Sequence, residues 1–288
     1  LIVESEKSTK MKIIKYLSLI LAVTLMASCE KTPIEYDTEP VGNRAEFQLH
    51  YVVPVTAVAA NYITKVEING QLYSNNKSTL STYNAIPSGS AGRFYVVEPG
   101  NVNIKMYQGD NMDQLVYDQN TTLTTGKQNV FVHDFDLPPV VIDNGYPYIR
   151  RETVETDSMQ WVKFYNFLYE TEGVPTDLRL QYQYVSHRTG ELVNVGEPVA
   201  FGESTGWEQV LIVKTDLVSS GSRRVDYKIK VVDNAGNILG DLQVMNSSGN
   251  FVNYSDYWTG YIGRRVHHIY CGMRAANPRA AVRLFYAL

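Results

Sequence analysis

From Arg44 onward the chain alternates apolar and polar residues with a period of two. Ala45, Phe47, Leu49 and Tyr51 fall on one side, and Arg44, Glu46, Gln48 and His50 on the other. That is the pattern of a half-buried strand with its polar side chains toward water. The alternation returns at Val66 and Ile68, just ahead of Asn69-Gly70, a dipeptide that closes tight hairpins because both residues tolerate positive φ. It recurs at Val102, Ile104 and Met106. Further on, Leu178, Leu180, Tyr182 and Tyr184 oppose Arg179, Gln181 and Gln183, and Val225, Tyr227, Ile229 and Val231 form another apolar series. No capped segment of 3.6-residue period and ten residues stands out after residue 43. The body is therefore read as all-β, and short strands joined by Gly, Asn and Asp turns favour two-sheet sandwiches.

A boundary is expected between Asp136 and Gln160. Leu137-Pro138-Pro139 ends one strand set, because proline has no N–H to continue a ladder, and Asp143-Asn144-Gly145-Tyr146-Pro147 supplies turn chemistry without alternation. The flanking blocks read as a distant duplication. Each opens on an aromatic-rich strand, AEFQLHYVV at 45 and WVKFYNFLYE at 161. Each then carries a lysine-bearing strand, NVNIKMY and VDYKIKVV, and a loop, GDNM at 109 and DNAGN at 233. Each continues with a Gly-basic turn into a strand with histidine, TGKQNVFVH and IGRRVHHIY. The expected layout is a removed segment 1–28, an acidic tether 29–43, a first sandwich 44–139, a linker 140–159 and a second sandwich 160–288.

The N-terminal stretch changes the picture from a free body to a held one. Met11, the expected initiator, opens a basic stretch with Lys12 and Lys15, followed by an apolar run from Tyr16 to Met26 and the small residues Ala27 and Ser28. This is the layout of a secretory signal peptide, with an apolar run too short to cross ~30 Å of hydrocarbon. Leu25-Met26-Ala27-Ser28-Cys29 resembles the lipobox of bacterial lipoproteins, with Met26 where Leu is usual. The resemblance implies that Cys29 is lipidated and becomes the first mature residue, which ties the protein to a membrane surface without a spanning helix. The 288 residues carry a formal net charge of -4, with 44% hydrophobic and 19% charged residues. This is neither a disordered chain nor a nucleic-acid-binding surface. Of the two cysteines only Cys271 is left after Cys29, so no disulfide is expected within the body, and Cys271 reads as a buried thiol.

With its lipobox, acidic tether and strands of the form VKFYNF, VAFGESTGWEQVLI, VDYKIKVVDNAGNIL and GRRVHHIYCGM, the chain resembles surface lipoproteins of Bacteroidetes type that carry tandem immunoglobulin-like β-sandwich modules of unknown function. The resemblance implies outer-membrane attachment, with the body at the cell-surface side or in the periplasm. It implies no activity.

Little in the sequence carries chemistry. Gly202-Glu203-Ser204-Thr205-Gly206 matches G-x-S-x-G, yet Trp207 to Val213 follows as a strand where a nucleophile elbow needs a helix, so a β-hairpin loop is expected. His267 and His268, adjacent on a strand, point to opposite faces and cannot share a metal. Asp233-Asn234-Ala235-Gly236-Asn237 reads as a turn, and His133-Asp134-Phe135-Asp136 as a strand end. No catalytic residue, metal site or cofactor is expected. The aromatics are the remaining signal. The stretch Phe251 to Tyr261 gathers Tyr254, Tyr257 and Trp258 beside Asn253 and Asp256 in what reads as a loop. The rings either plug the open end of the second sandwich or stack on sugar faces while the amide and carboxylate accept hydroxyl protons. Trp207, at a loop exit, is a second candidate on the same terms.

The leading expectation is a non-enzymatic binding or presentation module, with a glycan or a surface protein as partner and no nucleic acid. The alternative is a fimbrial or adhesin subunit trimmed after Arg44 that donates its C-terminal strand, AAVRLFYAL, to a neighbour's sheet edge. A surface polysaccharide hydrolase stands third.

Overall fold

The computed structural model describes residues 42–88, 92–145, 157–213, 217 and 221–287. Cys29, the signal-like segment and the tether up to residue 41 lie outside them. Among the described residues the architecture is nearly all β, with one short 3-10 turn at Ala59–Asn61. No described helix is long and apolar enough to cross a membrane.

The first module contains β1 (Ala45–Tyr51), β2 (Lys65–Ile68), β3 (Gln71–Ser74), β4 (Asn84–Ile86), β5 (Tyr95–Val97), β6 (Gly100–Gln108), β7 (Gln114–Leu123), β8 (Gly126–Val132) and β9 (Val140–Asp143). They form two sheets, β4-β1-β8-β9 with β5 also on β1, and β3-β2-β6-β7. Strand β1 runs parallel to β8. Asn69 and Gly70 both take positive φ and close the β2–β3 hairpin, as their chemistry requires. The sheets meet over Phe47, Leu49, Val66, Ile104, Met106 and Val130, all buried.

The second module contains β10 (Asp157–Thr171), β11 (Val174–Pro175), β12 (Arg179–Val185), β13 (Leu192–Asn194), β14 (Glu208–Val213), β15 (Ser222–Val232), β16 (Ile238–Asp241), β17 (Gln243–Met245), β18 (Phe251–Asn253), β19 (Ser255–Tyr261), β20 (Arg265–Met273) and β21 (Ala281–Ala287). One sheet runs β11-β10-β20-β21 with β14 also on β10. The other runs β13-β12-β15-β16 with β19 also on β15, and β17-β18 form a separate hairpin. Val162, Phe164, Leu180, Tyr182, Ile229 and Tyr270 fill the space between the two larger sheets.

The pairing repeats between modules. Parallel β1–β8 corresponds to parallel β10–β20, antiparallel β8–β9 to β20–β21, and β2–β6 to β12–β15. Of these strands the sequence places β1 with β10, β6 with β15 and β8 with β20 in matching positions. Two boundaries shift. The linker read at 140–159 is shorter, because Val140–Asp143 pairs with β8 as the first module's last strand and β10 begins at Asp157. The inward series of β15 holds to its end: Val231, opposite Leu180, is half-buried and packs on the second module's core, while a bulge puts the extra residue, Leu239, on β16.

The largest departure concerns the polar faces of β1, β8, β10 and β20. Gln48, His50, Asn129, Lys163 and His267 alternate with apolar residues as a solvated face would, yet all are buried. The two modules pack these faces against each other around Phe131, Tyr165, Phe167, Ile269, Cys271 and Phe285. The Phe131 and Phe167 rings stack at 4.6 Å, and Phe131 lies 5.1 Å from Tyr165. Each such side chain removed from water contributes roughly 1.5–3 kcal/mol. The body is thus four sheets deep, with its modules joined by a packed aromatic layer.

Candidate functional site at the module junction

Polar groups within that layer form a continuous chain. The His50 Nε2–H donates to Asn129 Oδ1 at 3.0 Å, which fixes the ring's tautomer, and Asn129 Nδ2 donates to Asn144 Oδ1 at 3.0 Å. From the second module, Trp207 Nε1 donates to the Asn144 carbonyl at 2.7 Å, and Lys163 Nζ donates to the Asp143 carbonyl at 2.7 Å. The Trp207 ring lies 4.9 Å from that of His267, whose Nδ1 is 2.8 Å from the Tyr165 hydroxyl. Burial disfavours the charged form of each of these groups. It lowers His50 from 6.5 to about 4, against the hydrogen bond to Asn129. His267 sits well below its ordinary value, first through burial and then through His50, Lys163 and His268. The Lys163 ammonium is pushed down to about 8 by burial, with Asp143 opposing.

This network pins the turn at Asp143-Asn144, which forms one wall of an open groove of about 530 Å³. Val141, Ile142 and Asp143 come from the first module, while Glu197 to Val199 and the loop Gly202 to Gly206 with Glu208 come from the second. Asp143, Glu197 and Glu203 are exposed and Glu208 half-buried. Glu203 Oε2 accepts the Ala200 N–H at 2.9 Å, which shapes the loop. Thr205 Oγ1 accepts the Phe164 N–H at 2.9 Å and ties that loop to β10. The groove therefore offers carboxylates and hydroxyls on a rigid two-module floor, a surface suited to accepting hydroxyl protons. Ser204 bridges to Tyr165 in an extended pairing, and its loop leads into β14, so the G-x-S-x-G stretch is a loop before a strand.

The residues singled out in the sequence go to separate places. Phe251 to Tyr261 is not a loop but strands β18 and β19, and strand alternation divides its side chains. Trp258 is 2% exposed: its Nε1 donates to Gln160 Oε1 at 2.8 Å and its ring packs 4.8 Å from His268. Tyr254 is buried too, its hydroxyl 3.0 Å from that of Tyr227. Both rings fill the second module's core. Tyr257 faces out, 51% exposed, with the Arg224 guanidinium 4.0 Å above its ring. Asn253 and Asp256 are exposed; Asn253 bonds to Asp241 and Gln243, and Asp256 accepts the Tyr257 N–H. No single platform unites them. Trp207 does not line the groove: it follows Gly206 and precedes Glu208 of the lining, with its ring on His267 and its N–H on the Asn144 carbonyl.

Arg44 is exposed immediately before β1 and pairs with Glu98 at 3.4 Å. The C-terminal strand expected to leave for a neighbour instead pairs along its length with β20, from Arg265 opposite Ala287 to Cys271 opposite Ala281, with Phe285 buried. His267 and His268 do face opposite ways, His267 into the junction and His268 toward Tyr182 at 2.8 Å in the second core. Asp233 caps its own turn through the backbone of Ala235 and Asn237. In the sequence Asp143 signals only a turn, and Glu197 and Glu208 carry no signal. Their meeting depends on how the two modules pack, which strand alternation does not encode.

No protein-family model matches the chain, and no curated protein matches it. Among solved structures it is similar to a candidate adhesin from Bacteroides ovatus at 10% identity, over 85% of this chain and 96% of that one, with a TM-score of 0.18. A superposition that loose decides neither fold nor function.

Proposed function

We propose that this chain is a non-enzymatic binding module, held at the outer membrane by lipid on Cys29 with its immunoglobulin-like body presented outward, and that its ligand is a glycan seated in the junction groove. The observation that carries the reading is the groove itself. Its walls come from both modules, a buried network that includes Trp207 fixes their separation, and Asp143, Glu197, Glu203 and Glu208 offer acceptors to sugar hydroxyls. The lipobox-like segment supports the anchoring. A glycan array followed by titration calorimetry on the mature chain tests the ligand class. Glu203→Gln with Glu208→Gln should weaken the bound glycan at least tenfold while Tyr257→Ala leaves that groove affinity unchanged. Absence of any carbohydrate binding, or binding indifferent to the double substitution, would remove the groove from the account.

A second reading, an assembly subunit trimmed after Arg44, is favoured by the exposure of Arg44 one residue ahead of the first buried strand. The mass of the protein isolated from its native membrane decides it. A chain beginning at Ala45 supports trimming, and a lipidated chain beginning at Cys29 supports the anchored module.

A further inference from the structure

Gly263-Arg264-Arg265, the basic turn that opens β20, plays no part in the groove. Gly263 has a φ of 72° and its N–H donates to the Met159 carbonyl at 2.8 Å, so the turn is fixed to β10. Arg264 is exposed, yet its guanidinium lies over two rings, 4.3 Å from the centre of Tyr261 and 4.8 Å from that of Tyr286. Both distances are within cation–π range. Among the described residues no carboxylate pairs with it. The equivalent basic residue of the first module, Lys127 after Gly126, lies over Phe94 at 5.2 Å and has Glu46 at 4.0 Å. Arg224, over Tyr257, is bound to Asp226 at 2.6 Å. Arg264 therefore differs from both in holding its charge in place without an acid.

A guanidinium fixed by stacking keeps its fork of donors toward solvent and loses little freedom when a planar anion arrives. Carboxylate and the tetrahedral oxyanions phosphate and sulfate are the anions that such a fork meets with two parallel hydrogen bonds. Tyr257 and Tyr261 stand four residues apart on β19, so the two Arg–Tyr stacks are separated by ~13 Å along one strand. Thr259 lies between them on the same outward face, opposite Arg224. A ligand that touches both stacks has to be extended, which suits a polymer better than a small ion.

We propose that Arg264, clamped over Tyr261 and Tyr286, is the anion-recognition point of a second subsite, which takes an acidic polysaccharide along β19. The proposal rests on the reading that the ligand is carbohydrate and adds its charge class and a contact separate from the groove residues.

The test uses the full mature chain and three polymers: polygalacturonate for carboxylate, heparin for sulfate and dextran as the neutral control. Calorimetry at low salt should show binding of at least one acidic polymer and none of dextran at this subsite. Arg264→Gln should weaken it at least tenfold, Arg264→Lys by an intermediate factor, and Arg93→Gln, an exposed arginine of the first module, not at all. Circular dichroism should show all three variants folded, since both arginines are exposed. Acidic polymers bound equally by wild type and Arg264→Gln would overturn the subsite, as would equal, Arg264-dependent binding of duplex DNA, which would mark a general polyanion contact. Binding of neutral glycans that depends on Glu203 but not on Arg264 would overturn the subsite and leave the groove reading standing. Failure of every carbohydrate would remove both.

Discussion

His50 and His267 meet edge to face across the module junction, their ring centres 6.5 Å apart, both fully buried and on strands of different modules. Two imidazoles so placed must both be neutral in the folded protein, because charging either would put a cation into an apolar layer beside Lys163. This makes the junction sensitive to acid. His50 is held down to about 4 and His268, in the second core, to about 3, while His267 lies well below its ordinary value. The unfolded chain takes up protons near 6.5 and the folded one does not. Stability is therefore fully present above that value and falls as pH drops toward the folded values. Each fully buried ring should cost about 2 kcal/mol between pH 7 and pH 5. Urea unfolding at the two values checks it, and a curve unchanged across that window would contradict neutral burial of these rings.

The division of Phe251 to Tyr261 between core and surface gives a second expectation. Trp258→Ala should destabilise the protein by roughly 3–5 kcal/mol, since it empties a filled site and leaves Gln160 without its donor. Tyr257→Ala, on an exposed ring, should change stability by no more than about 0.5 kcal/mol. Denaturant titration of the two variants separates these outcomes; similar effects would mean that the two rings do not face opposite ways.

Gly272 in β20 has a φ of 111°, and a Cβ there would lie 2.8 Å from Ala280 Cα and 3.0 Å from Arg279 O. Both contacts are backbone, which cannot rotate away. Gly272→Ala should cost roughly 2 kcal/mol or more and lower the melting temperature by about 4–8 °C in a body of this size. A melting temperature within 1 °C of wild type would refute the close approach.

Cys271 has no exposed surface, and burial pushes its thiol up to about 12, with Arg283 opposing. Iodoacetamide at pH 8 should therefore leave it unmodified in native protein and alkylate it fully in urea, as read by peptide mass mapping. Rapid modification of the native chain would show the junction opening on the reaction time.

Strand positions were legible because alternation at β1, β2, β6, β12 and β15 records which side chains face a core, and the matched order of β1 with β10, β6 with β15 and β8 with β20 exposed the repeat. What covers the other face was not. Gln48, His50, Asn129 and Lys163 are residue types that water accepts equally well, so their burial becomes visible only once the other module covers the face; Gln48, His50 and Asn129 bond within their own module, and Lys163 reaches across to the Asp143 carbonyl. The groove shares that origin, since Asp143 and Glu203 are distant in sequence and belong to different modules. Asn, Ser, Asp and Gly made residues 251–261 look like a loop, though Asn253, Ser255 and Asp256 are exposed strand positions and Gly260 is a buried one, where a Cβ would meet Ile212 and Val225. Short β9 followed Pro138-Pro139 closely enough to be read as linker.

The shared layer around Phe131, Phe167, His50 and His267 makes one cooperative unit of the two modules. Differential scanning calorimetry at pH 7 tests this directly: the account predicts one transition whose calorimetric and van't Hoff enthalpies agree, and two resolved transitions, one per module, would contradict it.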